Sequence, residues 1–367
     1  MTTTTAPAGP HADHDATRAA FAGRLGEMTL AAMELQTVYL GERLGLYHAL
    51  RDRGPATSAE LSERTGTNER YIREWMEQQA VAGVLTVDDA AAAPTERRYA
   101  LPSGHAEALI DHESPYLVGP MARFIVGFAH RLPDLLEAYR TGRGIDWAEY
   151  GPDVVEAQEA INRPQFQHFL ADWVGALPDI EARLRVGGRV ADVGCGTGWS
   201  SIWLARHFPA VEVDGIDVDA GSIERARAHA ADEDLGHRVR FLFADAANAD
   251  GAGRYDLVTI FEALHDMARP VEVLTAARAL LAPGGAMLIG DERVHETFSP
   301  HHDGDRMFYG YSALACLANG LHDGPSVGTG TVLRPSAVEA MAREAGFSGF
   351  TVLPTEHDAF RFYRLDP

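Results

Sequence analysis

The chain of 367 residues contains no lysine, and all 32 of its basic residues are arginine. That absence excludes the phosphate-binding loop, which needs a lysine on its phosphates, and the pyridoxal-phosphate enzymes, which hold their cofactor as a lysine Schiff base. Two cysteines, Cys195 and Cys316, are too few for a disulfide framework or a zinc cluster and fit a reducing cytoplasm. No apolar run reaches the length of a membrane span, and "MTTTTAPAGPHADHD" lacks the basic and apolar regions of a secretion signal. With 53 acidic residues and a net charge of -21, the chain repels phosphate backbones and anionic lipid. Neither nucleic acid nor a membrane is expected as a partner.

What is present suggests two domains, since 46% hydrophobic content supplies a large core and a smaller one. Residues 1–20 read as a disordered tail. Residues 28–50 carry apolar positions at helical spacing, and Arg53-Gly54-Pro55 turns the chain. Thr57 and Glu60 have capping-box spacing for a helix over 58–64 that Gly66 closes. A third helix places Tyr71, Ile72, Trp75, Met76 and Gln79 on one face and ends at Gly83. Residues 85–87 and 98–101 then suggest two strands, which makes residues 21–110 a winged helix. Its third helix mixes Glu69, Arg70, Arg73, Glu74 and Glu77, and its wing carries Asp88 and Asp89. A groove reader would show a basic stripe, so the expected role is dimerisation or a lid.

Residues 111–185 form a helical linker and substrate lid, with Met121, Phe124, Ile125 and Phe128 as a core stripe. "YGPDVVEAQEAINRPQFQHF" mixes Tyr150, Asn162, Arg163 and Gln167 with aromatics. It marks either an interdomain surface or a pocket, with Tyr150, Arg163 and Gln167 as the substrate-binding candidates.

Over residues 186–367, strands are expected at 189–193, 211–217, 239–243, 257–261 and 286–290 with helices between them. After an irregular stretch over 297–333 come a helix from Pro335 to Gly346 and a hairpin of 347–353 with 360–363. The fold class is α/β, a Rossmann-like doubly wound parallel sheet, which binds ligands beyond the carboxyl ends of its strands. "VADVGCGTGWS" lies there, at the end of the first strand. A dinucleotide fingerprint would need a third glycine where Trp199 stands, so the loop is not read as an NAD site.

Asp192 followed by Gly194, Gly196 and Gly198 resembles motif I of class I S-adenosylmethionine-dependent methyltransferases. The order of "GERLGLY", "ERYIREWMEQQA", "NRPQF", "VADVGCGTGWSS", "HDMARP" and "EHDAFRFYRL" resembles an actinobacterial winged-helix family of these enzymes, similar to plant-type small-molecule O-methyltransferases. The resemblance implies S-adenosyl-L-methionine as cofactor. Asp192 would face its ammonium, and Gly194, Cys195, Gly196, Thr197 and Gly198 its methionine part. Asp217 and Val218 would take the ribose, Asp245 and Ala246 the adenine, and Phe261 the ring or the methionine end.

His265-Asp266 resembles the histidine-aspartate pair of the plant-type enzymes, in which the histidine is the general base; His357 in "PTEHD" is the rival base. His295, His301, His302, Asp303 and Asp305 match no ligand spacing, and no metal is expected. The expected activity is O-methylation of a small molecule in secondary metabolism by a cytoplasmic homodimer. Transfer to nitrogen or carbon, a cofactor-retaining fold that does not methylate, and a ligand-responsive DNA-binding regulator are the alternatives.

Overall fold

The computed structural model describes residues 10–248, 253–300, 302–322 and 324–367. It divides into two compact units, residues 1–126 and 127–367.

The first unit opens with α1 (Pro10–Arg43). Residues 1–9 lie outside the described residues, but 10–20, expected to be disordered, are helical. "PHADHDATRAA" is alanine-rich, with proline at the first helical position and Asp13 in the first turn, so propensity starts a helix where no apolar stripe announces one. The helix expected over 28–50 is interrupted: Gly45, at φ 67°, separates α1 from α2 (Leu46–Arg53). α3 (Ser58–Thr65) carries both bonds of the capping box, with Glu60 N–H donating to Thr57 Oγ1 and Thr57 N–H to Glu60 Oε2. α4 (Glu69–Val81) buries Ile72, Trp75, Met76 and Gln79. Tyr71, placed on the same face by the sequence reading, is 79% exposed because it sits one position off that stripe. β1 (Thr86–Val87) pairs antiparallel with β2 (Tyr99–Ala100), and α5 (Ser103–Ile110) follows.

α6 (Met121–Thr141), α7 (Pro152–Gly175) and α8 (Pro178–Val186) lead to the sheet of the second unit. Its strands are β3 (Gly188–Val193), β4 (Val211–Asp217), β5 (Val239–Phe243), β6 (Tyr255–Phe261), β7 (Leu281–Glu292), β8 (Gly349–Val352) and β9 (Phe360–Asp366). They lie in the order β5-β4-β3-β6-β7-β9-β8. β5, β4, β3, β6 and β7 are parallel, while β9 runs antiparallel to both β7 and β8, so the sheet is mixed at one edge.

Alternation along the strands builds a core on each face. Val190 and Leu257 pack with α7, α8, α9 (Trp199–His207) and α10 (Ala220–Asp232). Ala191, Val193, Val258 and Ile260 pack with α11 (Pro270–Leu280) and α14 (Pro335–Glu344). Within the stretch read as irregular lie α12 (Asp303–Tyr311), a π-helical turn and α13 (Leu317–Gly320). The start signal there is unusual: the His302 ring accepts from Asp305 N–H, a capping role that histidine seldom fills.

Candidate active site

β3 and β6 are neighbours at the point where the strand order reverses, β4 lying on one side and β7 on the other, which places a ligand crevice at their carboxyl ends. The loop Gly194–Gly198 joins β3 to α9. Gly194 has φ 71°, and a Cβ there would stand 2.6 Å from Ala263 Cβ; Gly198 has φ 87°, and its Cβ would meet Phe241 at 2.5 Å. Side chains at either position would force the loop off the sheet. α9 therefore begins tight against the strand ends, and no side chain caps its first turn.

The crevice is a cavity of about 590 Å³. Gly194, Cys195, Gly196, Thr197, Asp217, Val218, Asp245, Ala246 and Phe261 all line it, whereas Gly198 lies behind the wall as a packing position. Asp217 Oδ2 accepts from Gly196 N–H and Oδ1 from Asp219 N–H, each at 2.8 Å, so the acid pins the glycine loop while facing the cavity. Burial raises its carboxyl above the usual range. Asp245 takes Ala247 N–H on one oxygen and the Arg269 guanidinium on the other, at 2.7 Å. Val218 and Phe243, 59% and 61% exposed, turn apolar surface into the same space. An acid, flanking apolar surface and an uncapped helix start suit a nucleoside with a vicinal diol and a carboxylate-bearing tail, which are the parts of S-adenosylmethionine.

Asp192 does not face this ligand space. It is 1% exposed and accepts from Ser200 Oγ at 2.5 Å, Ser201 Oγ at 2.6 Å and Thr259 Oγ1 at 2.7 Å. The ammonium contact expected of it is corrected accordingly: three hydroxyls turn the acid inward, where it ties α9 and β6 to β3.

The catalytic candidates separate. Asp266 lines the cavity, but His265 does not, and it is 2% exposed. Its Nδ1 lies 2.9 Å from both Asp291 Oδ1 and Glu292 Oε2, and its Nε2 lies 3.4 Å from Asp266 Oδ1. Burial alone would lower the imidazole pKa, but Glu292, Asp266 and Asp291 outweigh it and hold the pKa well above the ordinary value. The surrounding acids favour the protonated ring, and the ring lies buried behind the wall rather than facing the cavity, where its expected role as base would place it.

His357 is excluded in another way. Its Nδ1 accepts from Ala359 and Phe360 N–H, its Nε2 lies 3.1 Å from Gln165 Oε1, and its ring stacks on Phe360. It holds the β8–β9 turn.

On α7 the cavity face is Val155, Gln158, Glu159, Asn162 and Phe166, a helical stripe that leaves Arg163 and Gln167 off the wall. Arg163 lies over the Trp199 ring at 4.5 Å. Tyr150 is 3% exposed, with its hydroxyl bonded to the Leu314 and Ala315 carbonyls. The substrate roles expected of these three are corrected. Glu262 and Gln158 escaped the sequence reading; a charged residue inside the apolar run "TIFEAL" was the available signal for Glu262.

In the histidine-rich stretch, His301 lies outside the described residues, and Asp305 binds Arg334 and His295 N–H. The two groups of donor atoms within 4.8 Å of one another among the described residues both contain His265, with Asp266 and Cys316 in one and Asp291 and Glu292 in the other.

Residues 190–285 match the methyltransferase domain model, and residues 31–110 match the Rv2258c-like winged HTH domain model. The 27-O-demethylrifamycin SV methyltransferase of Amycolatopsis mediterranei is 37% identical over 109 residues, 29% of this chain and 40% of that protein. A ubiquinone biosynthesis O-methyltransferase of Caulobacter sp. is 37% identical over 103 residues, 28% of this chain and again 40% of the relative. The chain thus spans about two fifths of the length of these curated relatives. Among solved structures, the mitomycin 7-O-methyltransferase MmcR superposes with a TM-score of 0.69 at 20% identity, covering 96% of this chain and 100% of that one. Human N-acetylserotonin methyltransferase in complex with SAM gives 0.67 at 18% identity, covering 99% of both chains. At these identities the likeness shows the fold. Residues 190–285 are thus a methyltransferase domain and residues 31–110 an Rv2258c-like winged helix, in a chain with the fold of class I S-adenosylmethionine-dependent methyltransferases.

Proposed function

We propose that the chain methylates a small-molecule acceptor, most readily at oxygen, in secondary metabolism, with S-adenosylmethionine held in the cavity at the strand ends. The observation that carries this reading is the convergence of the glycine loop, Asp217 and Asp245 from three adjacent strands on one cavity. When bound, the cofactor supplies a methyl group on a sulfonium, a good leaving group, so positioning and removal of the acceptor's proton are what the protein must provide. Asp217 takes the ribose hydroxyls, Phe243 and Val218 flank the adenine, and the start of α9 receives the carboxylate. Gln158, Asn162 and Phe166 from α7, with Asn319 of α13, wall the acceptor end.

Phe21, Leu25, Met28 and Leu35 are exposed on α1 at spacings of four, three and seven, a heptad seam that supports a homodimer. On α4, Arg70 pairs with Glu74 and Arg73 with Glu69, which leaves no basic stripe for DNA. The two cysteines, both free, fit a cytoplasmic location.

Calorimetric titration tests the reading. One S-adenosylmethionine and one S-adenosylhomocysteine are expected to bind per chain, in mutual competition; binding of neither removes the proposal.

A further inference from the structure

Glu262 is the first residue past β6, and its backbone is left-handed at φ 50°, one of two non-glycine residues with positive φ among the described residues. Such a conformation is unfavourable for a residue with a side chain and persists where the surroundings enforce it. What it achieves here is to turn a carboxylate back over the strand end into the cavity. Glu262 Oε2 accepts from Gln158 Nε2 at 3.0 Å and from Asn162 Nδ2, both neutral amides of α7 that also line the wall. Asp217 and Asp245 face the cavity too, but Asp217 is tied to two backbone amides and Asp245 to an arginine.

The strand order sets the direction of a bound cofactor. Asp245, Asp217, the glycine loop and Glu262 end β5, β4, β3 and β6, which are consecutive in the sheet. A ligand with its adenine toward Asp245 and its ribose on Asp217 therefore directs its sulfur end across the glycine loop toward β6. The close approach of Gly194 to Ala263 brings the two loops together there.

We propose that Glu262 is a catalytic residue whose carboxylate faces the methyl-donor end of the cavity and takes the acceptor's hydroxyl proton, an inference that rests on reading the cavity as the S-adenosylmethionine site. The acceptor's O–H bond breaks as its proton passes to a Glu262 oxygen. The acceptor oxygen bonds the methyl carbon as the carbon–sulfur electron pair returns to sulfur, and Glu262 then releases the proton to water. Burial pushes the Glu262 carboxyl up to about 7, against the Asn162 hydrogen bond and the His265 charge, which pull it down; Asp291 and Asp266 add to the rise. A carboxylate there can both accept and release a proton near neutrality. His265, behind the wall, is a positioning residue: its positive charge pulls the Glu262 pKa down and so favours the ionised carboxylate that can accept a proton.

Binding alone tests the proposal, with no acceptor required. Sinefungin carries a charged amine where the cofactor carries its transferable methyl, and S-adenosylhomocysteine carries nothing there. The wild-type protein is expected to bind sinefungin about tenfold more tightly than S-adenosylhomocysteine, a margin set by one charge-assisted hydrogen bond. Glu262→Gln, of the same shape, is expected to lose that margin while S-adenosylhomocysteine affinity stays within about threefold. Equal affinities in the wild-type protein, or a margin that survives in Glu262→Gln, would overturn the role of Glu262. Failure of the wild-type protein to bind S-adenosylhomocysteine would instead overturn the cofactor reading beneath it.

Discussion

Asp217→Ala is expected to weaken S-adenosylhomocysteine binding by about a hundredfold or more. Two hydrogen bonds from ribose hydroxyls to a carboxylate are worth roughly 1.5–3 kcal/mol each, and about 2.7 kcal/mol is a factor of a hundred. The acid also holds Gly196 and Asp219 N–H, so its loss frees the loop that should meet the methionine end. Asp217→Asn, which keeps one acceptor oxygen, should lose about tenfold. Isothermal calorimetry on the two variants separates these values; an Asp217→Ala affinity equal to wild type would remove Asp217 from the ribose site.

His265→Ala is expected to be the most destabilising change at the site, by about 3–5 kcal/mol near neutral pH, because it leaves Asp266, Asp291 and Glu292 buried without their counter-charge. Its pH dependence has a definite sign. The folded imidazole pKa is raised, so its stabilising contribution is complete below the ordinary histidine value of about 6.5 and fades as pH rises through the folded value. In the variant, the Glu292 and Asp266 carboxyls, held up chiefly by burial, take up protons as the pH falls and relieve the repulsion. The deficit should therefore be largest around neutrality and shrink on acidification. Urea unfolding at a series of pH values measures it. A variant as stable as wild type at pH 7 would mean that the cluster is neutralised in some other way.

The parts of the fold that carry local signals were legible. β4 and β5 have the bounds that their β-branched and aromatic runs suggest, the Thr57–Glu60 capping box forms, and the glycine loop lies at the predicted sheet edge. What escaped depends on where side chains turn. Asp192, His265 and Arg163 are of the right chemical type beside the right motif, yet three hydroxyls, a cage of acids and a tryptophan ring hold them away from the cavity. Spacing along α7 points to Gln158, Asn162 and Phe166, which share a face at intervals of four, but Glu159 on the same wall is four residues before Arg163, so spacing alone does not exclude Arg163; its stacking on Trp199 does. Glu262 was harder, because its use rests on a left-handed backbone that no pattern of residue types announces. α12 was missed because its cap is a histidine ring.

A crystal structure of the protein with S-adenosylhomocysteine tests the central claim most directly. The account predicts the ribose diol on Asp217, the adenine between Val218 and Phe243 near Asp245, and the sulfur opening toward Glu262 and Asn162. A ligand seated elsewhere, or lying in the cavity with its sulfur turned toward β5, would contradict it.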